Sequence, residues 1–233
     1  MATPLKGICS MATRGLLDEL AAAHSRQSGV PVSFLAVGGV DAVRRVADGE
    51  AFDVVALASD AIDKLIAAGS LDAAGKVDIV RSEVGVAVHA NAGPPGIATE
   101  DAVRRTVQAA ASIAYSTGPS GVALLALFGR WGIADEIRGR LVQAPPGVPV
   151  GALVARGEAA LGFQQMSELI GLEGIRLLGP LPQAIQIVTT FSAAPGFCTP
   201  QPVAVRALLD FMASDGSAEA KRRHGMTPAS LRL

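Results

Sequence analysis

Aromatic side chains are scarce in this sequence. Phe, Tyr and Trp together make up 4% of 233 residues, while Ala, Val, Leu and Gly dominate. With half of the residues apolar, the core is expected to consist of small aliphatics, as where helices pack on a parallel sheet. Cysteine is nearly absent. Cys9 and Cys198 stand far apart, with no zinc-ligand spacing and no CxxC redox pair. Cys9 reads as a buried thiol at the end of a strand, and a Cys9–Cys198 disulfide stays open. Charge of one sign is also lacking: the net charge of −1 offers no basic nucleic-acid surface. The densest basic cluster, Lys221-Arg222-Arg223-His224, reads as favourable charge at a helix C-terminus rather than a phosphate patch.

Other signatures are missing too. No apolar run is long enough to span a bilayer. Met1-Ala2-Thr3-Pro4 leads straight into a strand, without a basic or apolar leader region. As the sequence stands, this gives a cytoplasmic expectation, or a periplasmic one if a leader has been removed. There is no Ser-His-Asp set, metal-ligand cluster, dinucleotide fingerprint or Walker loop; Gly118-Pro119-Ser120-Gly121 lacks the lysine and the length of a P-loop. No cofactor and no metal are expected, and no stretch is left over for a DNA-binding helix-turn-helix.

What is present is regular alternation. Strands are expected at Leu5 to Cys9, Val30 to Val37 and Phe52 to Ala58. Helices are expected at Thr13 to Arg26, closed by Gly29, and at Asp41 to Asp48 and Asp60 to Ala68. That order argues for an α/β fold with parallel, doubly wound strands. Further strands are expected at Val84 to Ala90, Ser112 to Tyr115, Leu141 to Gln143, Ala159 to Phe163, Ile175 to Leu178 and Ala184 to Phe191. Between and after them come helices at Glu100 to Ala110, Ser120 to Trp131, Ala134 to Arg140, Pro149 to Arg156, Met166 to Ile170, Gln201 to Ala213 and Ser217 to His224.

Two turns carry the functional signal. Tyr115-Ser116-Thr117-Gly118-Pro119-Ser120-Gly121 joins a strand to a helix start, and Ser10-Met11-Ala12-Thr13-Arg14 does the same near the N-terminus. Such turns present unpaired backbone N–H groups at the positive end of a helix dipole, beside hydroxyls, and suit a small anion. Ordinary capping needs one hydroxyl, whereas Ser116, Thr117 and Ser120 crowd one turn. Arg14 either binds a carboxylate bidentately or pairs with Asp18 at i+4. Gly38 and Gly39 either make a tight turn or let backbone approach a ligand. One of Gln164 and Gln165 is expected at the ligand, and Ser59 and Asp60 read as helix caps. His89 reads as structural, His24 and His224 as peripheral, and Glu168 and Asp60 are bases without a supporting signal.

These pieces, in this order, resemble the type 2 periplasmic binding proteins, specifically the molybdate-binding branch of ABC-transporter solute receptors. The carrying residues are Ser10-Met11-Ala12-Thr13, Gly38-Gly39-Val40, Asp53 to Asp60, Ser116 to Gly121, Val154 to Gly162 and Ser217 to Gly225. The resemblance implies two lobes, 1–83 plus 192–233 and 84–191, with crossovers at Val84 to Val88 and Ile185 to Thr190 and a ligand cleft between the lobes. It also implies a ligand shell of Ser10, Met11, Ala12, Thr13, Arg14, Gly38, Gly39, Ser116, Thr117, Gly118, Ser120, Gly121, Gln164 and Gln165. Gly38-Gly39 stands where molybdate receptors place serines, and Gln164-Gln165 follows the strand after which they place a tyrosine. With Arg14 nearby, these departures favour a small organic acid over an inorganic oxyanion. Some relatives of this branch isomerise tricarboxylic acids such as aconitate. The expectation is therefore a carboxylate-binding receptor, partnered by an ABC permease if exported, with a cytoplasmic isomerase of unsaturated polycarboxylates as the alternative.

Overall fold

Apolar strands alternate with amphipathic helices through the computed structural model, which describes residues 3–145 and 147–229. β1 (Leu5–Ser10) leads through a 3-10 turn at Met11–Thr13 into α1 (Arg14–Ser28). β2 (Val32–Val37), α2 (Gly39–Ala47), β3 (Val54–Ala58) and α3 (Ser59–Ala67) follow. β4 (Val77–His89) begins seven residues before the expected strand start at Val84. Its first half alternates exposed Asp78, Arg81 and Glu83 with buried Ile79, Val80 and Ser82, so it lacks the continuous apolar run of its second half. The chain continues with α4 (Glu100–Ala109), β5 (Ile113–Tyr115), α5 (Pro119–Arg130), α6 (Ala134–Ile137) and β6 (Leu141–Gln143). Then come α7 (Val150–Ala155), β7 (Leu161–Gln165), α8 (Met166–Leu169) and β8 (Ile175–Pro180). β9 (Val188–Pro195), α9 (Pro202–Ala213), α10 (Ala218–Arg223) and β10 (Met226–Pro228) close the described chain.

Two expected strands are displaced. Residues Gln183–Ile185 form a 3-10 turn, and the strand expected from Ala184 starts at Val188. The cause is Gln186, whose side-chain oxygen accepts from the amides of Val84 and Ile187 while its amide nitrogen donates to the Leu181 carbonyl. A side chain thus takes up pairing that strand backbone would otherwise supply. The strand expected at Ala159 to Phe163 runs instead to Gln165, so Gln164 and Gln165 end a strand rather than follow one.

The chain divides into two units: residues up to Ser82 and from Thr189 onward, and residues Glu83–Val188. In the first unit β1 lies between β2 and β3, parallel to both, with Ser10 opposite Val37 and Cys9 opposite Ala56. β9 runs antiparallel to β3, and β10 antiparallel to the first part of β4. One face of this sheet packs Leu16, Leu17 and Leu20 of α1 against Leu208 and Met212 of α9. The other packs Ile8, Val55 and Leu57 against α2 and α3. Each such side chain, fully buried, contributes about 1.5–3 kcal/mol.

In the second unit β5 lies between β6 and β7, parallel to both, with Tyr115 opposite Gln143 and Phe163. The later part of β4 runs antiparallel to β7 and to β8. Phe128 of α5 packs edge-on against Phe163, with ring centroids 6.1 Å apart. On the opposite side Val150, Leu153 and Val154 of α7 cover Ala114. In both units, the parallel strands end at one edge, where ligands of open α/β sheets are bound.

Candidate anion-binding turns

At the first unit's edge, Ser10 ends β1 and is 7% exposed; Thr13 is 1% exposed. The Thr13 hydroxyl donates to the Ser10 carbonyl at 3.1 Å and lies 3.4 Å from the Ser10 hydroxyl. Neither side chain caps a backbone N–H of the helix that follows, and α1 has no acidic residue in its first turn. Met11 and Ala12 form the half-buried bend between them. The helix start is thus left with its positive end uncompensated. Arg14, the first residue of α1, is exposed and pairs with Asp18 at 3.7 Å, as its i+4 spacing allowed.

The next strand contributes Gly38 and Gly39 at the start of α2. Gly38 has φ −58 and ψ 138, ordinary values for any residue. A Cβ on either glycine would meet nothing within 4 Å. Neither backbone conformation nor packing requires glycine there, so the missing side chains leave open space at the strand end. At the third strand end Ala58, not Asp60, occupies the N-cap of α3, and Ser59 accepts from the Lys76 amine at 2.9 Å. Ser59 and Asp60 are therefore not the caps their spacing suggested.

In the second unit, α5 begins after Gly118, with Pro119 at its first position. Its first backbone bonds run from Gly121 and Val122 to the Gly118 carbonyl, so the preceding amides have no partner inside the helix. No side chain caps this helix and no acid sits in its first turn. By contrast, Thr99 caps α4 by accepting from the Ala102 amide, with Glu100 and Asp101 following. The hydroxyls of Ser116 and Ser120 lie 3.2 Å apart. Thr117 is exposed, and a Cβ on Gly118 would meet nothing within 4 Å. Gly121 differs: a Cβ there would overlap the Ser116 carbonyl oxygen, so this glycine is explained by packing.

Gln164 and Gln165 are 3% and 5% exposed. Gln164 is committed to the protein. Its oxygen accepts from the Gly151 amide at 3.0 Å, and its nitrogen donates to Glu168 Oε1 at 2.8 Å. Gln165 occupies the N-cap position of α8 without a side-chain capping bond. Glu168 is the group that sequence reasoning undervalued. It has no cationic partner among the described residues, and burial pushes its carboxyl up to about 7, with the Gln164 hydrogen bond opposing. The i, i+4 spacing of Gln164 and Glu168 was the available signal.

Other titratable groups are occupied. His24, expected to be peripheral, is buried against Phe211, since it falls on the face of α1 that carries Leu17 and Leu20. His224 lies 2.9 Å from Glu19, which also pairs with Arg223. The His89 ring accepts from the Asn91 amide. Cys9 and Cys198 are both free, and burial pushes the Cys9 thiol up to about 12, far from a nucleophile. The cluster Lys221-Arg222-Arg223 does fall in the last turn of α10, but Lys221 itself is fully buried, on the side of the helix that also buries Ala220. A groove of about 470 Å³ in the second unit, lined by Val88, Arg105 and Ala160, lies where β7 begins, at the opposite edge from the Ser116 turn. Among the described residues no three His, Cys, Asp or Glu side chains gather as a metal site, and no helix is long and apolar enough to cross a membrane.

An aconitate isomerase from a Pseudomonas species is 36% identical over 97% of this chain and 88% of its own length. The periplasmic molybdate-binding protein of Azotobacter vinelandii superposes with a TM-score of 0.79, covering 96% of this chain and 98% of that one at 19% identity. The sulfate-binding protein of Mycobacterium tuberculosis H37Rv gives 0.78, over 98% and 88%, at 17% identity. The fold is that of the type 2 periplasmic binding proteins. The sequence pattern of one family, described as bacterial extracellular solute-binding protein, matches residues 5–227, and this chain belongs to that family.

Proposed function

We propose that this protein binds a small organic carboxylate at its strand-end turns. The observation that carries this reading is the Ser116–Gly121 turn, with two hydroxyls 3.2 Å apart beside an uncapped helix start and an open Gly118. Backbone amides and hydroxyls neutralise an anion there without a buried countercharge. Ser10, Thr13 and the open Gly38-Gly39 corner make a comparable turn in the first unit, where Arg14 supplies a cation once it leaves Asp18. The empty glycine corner favours a ligand with more bulk than a tetrahedral oxyanion. As a receptor, the chain works outside the cytoplasmic membrane and passes its ligand to a transporter permease. Titration calorimetry over a panel of di- and tricarboxylates tests the reading, and the absence of binding to any of them contradicts it.

A second reading is favoured by the aconitate isomerase relative, which matches nearly the whole chain. On it the same site holds an unsaturated polycarboxylate and moves its double bond. Incubation with trans-aconitate, followed by NMR, detects this directly.

A further inference from the structure

We infer that Glu168 is the catalytic proton carrier of this protein, poised by Gln164 at the strand edge that also carries the Ser116–Gly121 turn. The assignment rests on the isomerase reading of that site. β5 and β7 are neighbouring parallel strands, so the turn after Tyr115 and the segment after Gln165 leave the sheet at the same edge. Adjacent strands are about 4.8 Å apart. Glu168 stands three residues past the end of β7, in α8, a half-buried carboxyl with its Oε1 fixed by Gln164. Gln164 cannot turn away, because its other end is fixed by the Gly151 amide at the start of α7. No cation neutralises Glu168 among the described residues. A structural carboxylate in such a place is ordinarily paired.

The chemistry needs such a group. Turning a carbon–carbon double bond requires loss of its double-bond character. In an unsaturated tricarboxylate the methylene beside the double bond is acidified by its own carboxyl and by the alkene. The Glu168 carboxylate takes one methylene proton. The electron pair of that C–H bond spreads over the three-carbon allylic unit and the attached carboxylates. The same carboxyl then returns its proton to the former vinyl carbon. One C–H bond breaks, another forms, and the double bond moves by one carbon, with nothing oxidised or reduced. A carboxyl raised to about 7 is a stronger base than an ordinary one, while remaining ionised enough near neutral pH to act. The hydroxyls and amides of the Ser116 turn would receive the charge that develops on the ligand's carboxylates.

The test is deuterium exchange in D2O, using the full chain with trans-aconitate, read by proton NMR beside calorimetric affinity. The wild type should exchange methylene protons and form the cis isomer. Glu168→Gln keeps the acceptor for Gln164 and should lose exchange at least 100-fold, with the dissociation constant changed by less than about threefold. Undiminished exchange in Glu168→Gln, or a wild type that binds without exchange, overturns the assignment. A wild type that does not bind trans-aconitate at all instead overturns the reading on which the assignment rests.

Discussion

Gly121 sits so close to the Ser116 carbonyl oxygen that a Cβ at this position would overlap it. The first turn of α5 is therefore folded tightly back on the strand end that precedes it. Gly121→Ala should destabilise the protein by about 2–4 kcal/mol, since the obstacle is backbone and not a movable side chain. Gly118→Ala, three residues earlier, meets open space at φ −78 and should change stability by less than about 0.5 kcal/mol. Its methyl group would occupy the ligand's approach, so Gly118→Ala should lower affinity while thermal unfolding stays in place. Urea titration together with calorimetry separates the two effects.

The paired hydroxyls make a graded prediction. Ser120→Ala should weaken anion binding by about 1–1.5 kcal/mol, roughly tenfold. Ser116→Ala should cost a similar amount. The double variant should lose less than the sum, because each hydroxyl orients the other. Strict additivity would show that the two act independently.

Arg14 and Asp18 are each more than half exposed, so breaking their ion pair should move stability by less than about 1 kcal/mol. Arg14→Ala should nevertheless weaken carboxylate binding by about 1.5–3 kcal/mol through loss of a charge-assisted bond. An unchanged dissociation constant would remove Arg14 from the site.

Lys221 gives a pH signature. Its amine is fully buried and has no hydrogen-bond partner among the described residues. Burial pushes it down to about 8, from an ordinary value of 10.5, with Asp215 opposing. Between these two values the unfolded chain binds more protons than the folded one, so stability rises with pH across that window. The contribution is present above 10.5 and is lost as pH falls through about 8. Lys221→Met should therefore stabilise the protein at pH 7 by about 1–3 kcal/mol and flatten the slope between pH 8 and 10.5. Denaturation midpoints at pH 7, 9 and 10.5 test both statements.

Much of this fold was legible because its strands are short apolar runs set between amphipathic helices. The expected strand at Leu141 to Gln143 matches β6 residue for residue, and α4, α5 and α9 begin within one residue of expectation. What escaped the sequence was tertiary in origin. The first half of β4 is polar on its outer face, and β10 is only three residues long. The Gln186 side chain replaces strand pairing, and small residues such as Ala193 and Ala194 are buried without bulk that would mark them. The turns themselves were visible as clusters of Ser, Thr and Gly. Their internal division was not: only neighbouring atoms reveal that Gly121 is required by packing while Gly118 and Gly38 are not. Likewise, Gln164 looked like a ligand contact until its partners, Gly151 and Glu168, came into view.

The most direct test of carboxylate capture is competitive calorimetry of one preparation against trans-aconitate, molybdate and sulfate. The account predicts saturable binding of the tricarboxylate, with both inorganic oxyanions at least about 100-fold weaker, a difference of about 2.7 kcal/mol. Tight binding of molybdate or sulfate together with no measurable heat from trans-aconitate would contradict it.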